Sequence, residues 1–207
     1  MAKIYDVSAV KEALREYKET DIIAFPTDTV YGIGANPFNE IAINKIYQSK
    51  HRPHNKPLPI LCANINQIKQ VTSYIPPQME ILIKTFLPGA LTVVLPKNSI
   101  IPDYVTSGLP TIGVRIPNHP IALEILQAIG PLATTSANIS GSSSLNNADD
   151  VINELGDKID IIINGGLTDI GIPSTVVTME NEEIKVLREG IITKEMIITA
   201  LKKQLNT

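Results

Sequence analysis

From about residue 20 onward, short apolar runs alternate with segments of helical period, and the alternation predicts an α/β fold. Asp21 to Phe25 reads as a buried strand that stops at Pro26. Ile41 to Tyr47 has an apolar helical face, with Asn39 as its candidate cap. Pro57 to Cys62 returns as a strand, and Asn64 or Asn66 opens a short helix. Met79 to Leu87 predicts a helix ended by Pro88-Gly89, and Ala90 to Leu95 a strand. Pro96 to Pro110 reads as loop, Thr111 to Ile116 as strand, and Pro120 to Gly130 as a helix with both start and stop signals. Leu132 to Thr135 is a short strand feeding a polar loop that reaches Asn147. A helix over Ala148 to Leu155 and a strand over Ile159 to Ile163 follow. Ser174 to Met179 and Ile184 to Arg188 then form a hairpin, before a last helix over about Thr193 to Leu205. The irregular spacing argues against a barrel or a plain doubly wound repeat, and no repeat or long linker divides residues 1–207, so one domain is expected.

Composition narrows the function classes. Hydrophobic residues are 43% of the chain and aromatics 4%, with no Trp, so Ile, Leu and Val must fill the core. The net charge of −3, from 18 basic and 21 acidic groups, argues against a broad nucleic-acid surface but permits a small basic pocket. A single cysteine excludes an internal disulfide. Cys62 sits in the apolar run Pro59 to Ala63 and reads as a small buried hydrophobe rather than a nucleophile. The histidines do not build a zinc motif. No stretch has membrane-spanning length, so no membrane partner is expected and a cytoplasmic location is.

The candidate chemistry is split along the chain. Thr27, Asp28, Thr29 and Tyr31 crowd the exit of the first predicted strand, where Gly32 and Gly34 permit a turn or a close ligand. Lys50 and Arg52 follow the next helix. A mobile ammonium beside a fixed guanidinium fork suits a triphosphate or a carboxylate, although such a stretch alone is usually a solvated loop. Lys56 adds a cation where the chain re-enters the fold. Arg115, among apolar neighbours, is either a structural salt bridge or a ligand clamp. Thr134, Thr135, Ser136 and Asn138 form either a ligand wall or an Asx/ST turn. Ser174 and Arg188 are similar single signals. Convergence of Lys50, Arg52, Ser136 and Asn138 on one cavity is the expectation. Neither a phosphate loop, a dinucleotide fingerprint nor a nucleophile elbow is present.

Taken together, Pro26-Thr27-Asp28-Thr29-Val30-Tyr31-Gly32, Lys50-x-Arg52-Pro53, Lys56-Pro57-Leu58, Pro88-Gly89-x-x-Thr92, Gly113-Val114-Arg115-x-Pro117, Thr135-Ser136-Ala137-Asn138-x-Ser140-Gly141, Pro173-Ser174-Thr175-Val176 and Arg188-x-Gly190 resemble the YrdC-like family of threonylcarbamoyl-AMP synthases, in its short single-domain form. The resemblance implies an α/β fold with a highly twisted mixed β-sheet, flanking helices and a concave cavity. It implies synthesis of L-threonylcarbamoyladenylate from L-threonine, bicarbonate and ATP, with release of pyrophosphate and Mg2+ carried on the ATP. A tRNA-modification transferase machinery would then act on adenosine 37, with direct tRNA contact open. By the same resemblance, Thr29, Tyr31, Lys56, Leu58, Arg115, Thr135 and Ser174 fall beside threonine. Lys50, Arg52, Thr111, Ser136, Asn138, Ser144 and Arg188 fall beside ATP, and Lys50, Arg52, Ser136 and Asn138 form the catalytic group. The competing expectation is a non-catalytic RNA-binding or ribosome-associated protein, against which the acidic, aromatic-poor composition weighs.

Overall fold

A computed structural model describes residues 1–205 of the chain. Ten strands form one mixed sheet. In chain order they are β1 (Lys3–Asp6), β2 (Ile23–Phe25), β3 (Gly32–Ala35), β4 (Ile60–Leu61), β5 (Leu91–Pro96), β6 (Thr111–Arg115), β7 (Leu132–Ser136), β8 (Ile161–Asn164), β9 (Thr175–Glu180) and β10 (Glu183–Arg188). Across the sheet the order is β1-β8-β2-β3-β7-β4-β6-β5-β9-β10. β7 thus lies antiparallel between β3 and β4, pairing Ile33 with Thr135 and Ile60 with Ala133.

The helices are α1 (Val10–Glu16), α2 (Glu40–Ser49), α3 (Ile65–Val71), α4 (Pro77–Phe86), α5 (Asp103–Thr106), α6 (Pro120–Ile129), α7 (Ala148–Leu155) and α8 (Lys194–Leu205). Their starts follow capping chemistry. The side chains of Asn39, Asn64 and Asn147 accept from Ala42 N, Gln67 N and Asp150 N. Pro77 and Pro120 open α4 and α6, where a missing N–H costs nothing. Among the described residues no helix is long and apolar enough to cross a membrane.

Several elements differ from the sequence expectation. The strand expected over Pro57 to Cys62 enters the ladder only at Ile60 and Leu61, because Pro57 and Pro59 have no N–H to give it. The loop expected over Pro96 to Pro110 contains the single turn of α5. β3, with sequence Gly-Ile-Gly-Ala, is a buried strand, where the glycines were read as permitting a turn or a close ligand. β1 and α1 precede the region in which the alternation was read.

Strand alternation divides the core between the two faces of the sheet. On one face Ala24, Ile33, Ile60, Val93, Val114, Ala133 and Ile162 belong to the larger apolar cluster, together with residues of α2, α4 and α7. On the other, Ile23, Phe25, Leu61, Leu132, Ile161 and Ile163 pack against Val10 and Ala13 of α1 and Ala122, Ile125 and Leu126 of α6. The same alternation puts Gly32, Thr92, Gly113, Arg115, Thr134 and Ser136 on this second face, beyond the two helices. Cys62 is fully buried, and burial pushes its thiol pKa up, consistent with a packing role.

Gly34 marks the tightest point under the helices. A Cβ there would lie 2.9 Å from Leu132 Cδ1 and 3.1 Å from Phe25 Cε1. Gly34→Val is expected to cost about 1–3 kcal/mol by overpacking, read as a lower urea midpoint with an unchanged slope.

Candidate active site

The uncovered part of the second face opens as a cleft of about 190 Å³. Its floor stays low because Gly32 and Gly113 carry no side chain. A Cβ at Gly32 would meet Thr134 Cγ2 at 3.0 Å, and one at Gly113 would meet Thr92 Cγ2 and Pro59 Cβ at 3.2 Å. Of the expected residues, Thr29, Tyr31, Arg52, Arg115, Thr135, Ser136, Ser174 and Arg188 line this cleft.

Arg115, at the end of β6, is the most constrained of them. Nε donates to Gly89 O at 2.9 Å, Nη1 to Thr29 Oγ1 at 2.8 Å and Nη2 to Asp28 Oδ1 at 2.6 Å. Asp28 Oδ1 also accepts from Asn118 N at 3.0 Å. Both members of this ion pair are buried. Burial pulls the Arg115 pKa down and Asp28 opposes it. The two readings of Arg115 left open by the sequence are compatible. A guanidinium has five N–H donors and three are used, which leaves one on each Nη for a carboxylate.

Arg52 and Arg188 are held differently. Arg52 donates through Nη2 to Pro57 O at 2.9 Å and through Nε to Lys56 O at 3.3 Å. Arg188 donates through Nε and Nη2 to Ser174 O at 3.0 and 2.8 Å. Neither has a carboxylate within ion-pair distance among the described residues. Two uncompensated cations in one cleft make a field that an anionic ligand would neutralise.

The remaining expected residues lie off the cleft wall. Lys50 is 1% exposed, and its ammonium donates to the main-chain carbonyls of Ser136 and Asn138. It supports the loop from behind instead of reaching into the cavity. Burial, and then Arg52, push its pKa down to about 7, while Glu154 acts the other way. Asn138 spends its side chain inside the same loop. Lys56 is exposed and is held through its backbone, its carbonyl accepting from Arg52 and Tyr47 Oη and its N–H donating to Pro53 O. Leu58 is a fully buried core residue. Thr111 sits at the far end of β6 from Arg115, paired with Pro96. Ser144 is half-buried in the polar loop and does not line the cleft. Tyr31 does line it, but its hydroxyl donates to Gly166 O and accepts from Gly165 N, both at 3.0 Å, so it braces the turn after β8.

Of the other residues that line the cleft, sequence reasoning did not single out Pro59 and Leu61, and it took Thr92 only as part of a motif, without a site role. Thr92 had a usable signal, since it alternates with the buried Leu91 and Val93 and so shares a face with Arg115. Thr92 Oγ1 lies 2.8 Å from Ser174 Oγ.

A half-covered mixed sheet whose open cleft gathers three arginines among hydroxyl groups defines an α/β protein with the charge and the donors to suit a small polar anion. The family described as Sua5_yciO_yrdC, telomere recombination, matches residues 15–190, and the chain belongs to that family. The threonylcarbamoyl-AMP synthase of Bacillus subtilis is 42% identical over 190 residues, which are 91% of this chain and 55% of that protein. A putative threonylcarbamoyl-AMP synthase of Methanocaldococcus jannaschii is 40% identical and is covered, like this chain, to 92%. The structure of Pyrococcus abyssi Sua5 complexed with L-threonine superposes with a TM-score of 0.92 at 39% identity, covering 96% of this chain and 61% of that one. The chain therefore spans a little over half the length of the Bacillus and Pyrococcus relatives.

Two outcomes follow from the buried charges. Asp28→Ala leaves Arg115 buried without its counter-charge and is expected to cost about 3–5 kcal/mol, measured by chemical denaturation. Lys50 is lowered in the folded state from 10.5 to about 7. Between those values the unfolded chain binds more protons, so its contribution to stability rises with pH across that window. Wild type should therefore gain stability relative to Lys50→Met as pH is raised from 7 to 10; an unchanged difference would show that Lys50 keeps its proton.

Proposed function

We propose that the chain synthesises L-threonylcarbamoyladenylate from L-threonine, bicarbonate and ATP, releasing pyrophosphate. The observation that carries this reading is the pairing, in one cleft, of a neutralised arginine with two uncompensated ones. Arg115, balanced by Asp28 and steadied by Thr29, retains two N–H donors suited to an amino-acid carboxylate. Arg52 and Arg188 supply net positive charge suited to a triphosphate. Family membership supports the same assignment, as does the threonine bound by the Pyrococcus relative.

The mechanism begins when the free threonine amine attacks the carbon of bicarbonate, and a C–O bond breaks to release water and leave the carbamate. The carbamate oxygen then attacks the α-phosphorus of ATP, the bond to the bridging oxygen breaks, and pyrophosphate leaves with the electron pair. Arg52 and Arg188 stabilise charge on the phosphates, and Arg115 fixes the amino acid so that the carbamate meets phosphorus in line. The cavity is smaller than the about 300–1,000 Å³ that encloses a drug-sized ligand, so the nucleotide extends across the mouth. Magnesium enters as part of the Mg–ATP substrate. Asp28, the carboxylate at this wall, is committed to Arg115 and Asn118, and the described residues hold no cluster of metal-ligating side chains. The adenylate would pass to a transferase machinery that modifies adenosine 37 of tRNA in the cytoplasm.

The test is incubation with Mg–ATP, L-threonine and labelled bicarbonate, with the nucleotide product identified by mass. A labelled adduct that needs both threonine and bicarbonate is expected. Arg52→Ala is expected to lower turnover at least about tenfold with a melting temperature changed by no more than a few degrees, since the carbonyls that Arg52 bonds belong to its own loop. Folded wild-type protein that makes no such adduct would overturn the proposal.

A further inference from the structure

One peptide unit behind the cleft is gripped at both ends by opposite charges. The Lys50 ammonium donates to the carbonyl of Asn138, and also to that of Ser136. The N–H at the other end of the Asn138–Ile139 peptide donates to Glu154 Oε1 of α7 at 2.5 Å. Lys50 is buried and has no carboxylate within ion-pair distance among the described residues. Glu154 is the carboxylate whose charge acts on it, against burial and Arg52. The peptide dipole turns its oxygen to the cation and its hydrogen to the anion, so both contacts are charge-assisted. Turning that peptide over would set N–H against ammonium and C=O against carboxylate, and would leave a buried cation uncompensated.

This peptide sits in the bend that follows Ser136, a residue of the cleft wall. Asn138 closes the bend from within. Its Oδ1 accepts from Ser136 Oγ at 2.5 Å, and its Nδ2 donates to Ile139 O and Ser142 O, each at 2.8 Å. The bend is also tied to the end of α2, where Ser140 N donates to Lys50 O at 2.9 Å, two residues before Arg52. Arg115 is held elsewhere, by Gly89, Thr29 and Asp28. The bend therefore moves with the Arg52 side of the cleft and not with the Arg115 side.

We propose that Lys50 and Glu154 form an ion pair bridged by the Asn138–Ile139 peptide, and that Glu154 is thereby a positioning residue, holding the Ser136 bend against the Arg52 side of the cleft. The positioning role rests on the enzyme reading above; the ion pair does not. Glu154 does not line the cleft and acts only through the bend. Its main contact is Ile139 N, because the Ser142 hydroxyl lies nearer Ile139 O, at 2.8 Å, than Glu154 Oε1, at 3.3 Å. A bridged pair balances the buried ammonium while no carboxylate enters the cleft to compete with an anionic ligand.

Urea denaturation of wild type and Glu154→Gln at about pH 6 and about pH 9.5, repeated in a Lys50→Met background, tests the pair. Glutamine still accepts from Ile139 N, so the change removes the charge and keeps the hydrogen bond. In the folded protein Lys50 is charged below about 7 and neutral above it. The loss of midpoint caused by Glu154→Gln is therefore expected to be larger at the lower pH, and Lys50→Met should abolish that difference. The exposed His51 and His54 adjoin Lys50 and are common to both backgrounds. If Lys50→Met does not fold, His51→Gln with His54→Gln serves as the background, and the pH dependence should persist there. An equal loss at both pH values overturns the pair. Turnover tests the positioning. Glu154→Ala also removes the acceptor of Ile139 N and is expected to lower kcat/KM for Mg–ATP about tenfold or more, with Glu154→Gln recovering most of it. L-Threonine affinity by calorimetry should change by less than about twofold, because Arg115 is anchored on other segments. Equal losses on both substrates, or glutamine no better than alanine, would overturn the positioning role and leave the enzyme reading standing. Wild-type protein that makes no adduct overturns the enzyme reading and the positioning role together, while the denaturation cycle still decides the ion pair.

Discussion

The cleft depends on one buried ion pair. Arg115 ends β6 and Asp28 follows β2, and in the sheet these strands are separated by β3, β7 and β4. The guanidinium reaches across that width and is caught by Asp28, Thr29 and Gly89 O, while the Asp28 carboxylate also takes the backbone N–H of Asn118. Loops from three distant parts of the chain are thus tied at one point. Two buried charges are costly unless their geometry and hydrogen bonding are nearly complete. Here they are, and the residual donor capacity of Arg115 points to the one place where completeness was withheld.

Around that fixed point the other cations are arranged by a different rule. Lys50, Arg52 and Arg188 rest on main-chain carbonyls, which steady a cation without cancelling its charge. Lys50 is the extreme case, a fully buried ammonium beneath the loop that carries Ser136. Carboxylate partners would stabilise the empty protein and weaken any anion's hold, so the cleft keeps its positive charge at the expense of its own stability.

Much of the fold was legible because strand and helix periods differ. Asn39 as a cap, Pro120 as a helix start and the last hairpin all follow from local chemistry. β3 was not legible, since glycine at positions 32 and 34 is a turn signal by composition and a packing requirement only once Leu132, Phe25 and Thr134 are seen beside it. In the site, the sequence marked the right segments but not the direction in which side chains act. Lys50 and Arg52 are two residues apart, yet one points beneath the loop and the other lines the cavity. Ser136 and Asn138 differ in the same way. Asp28 was visible only as a polar residue in a turn, because its partner is far along the chain.

The position of β7 governs how the molecule can be made. Its neighbours β3 and β4 are complete once residue 61 has been synthesised, but the strand that fills the gap between them spans Leu132–Ser136. Until it emerges, a nascent chain presents two facing, unpaired ladder edges, the kind of surface on which strands from other chains dock. Pairing across such sequence distances is slow, because loop closure must be met before any contact rewards it. The final wall arrives later still, with Arg188 on β10. The finished cleft is therefore a late event in the life of the chain, complete only after the last hairpin has closed.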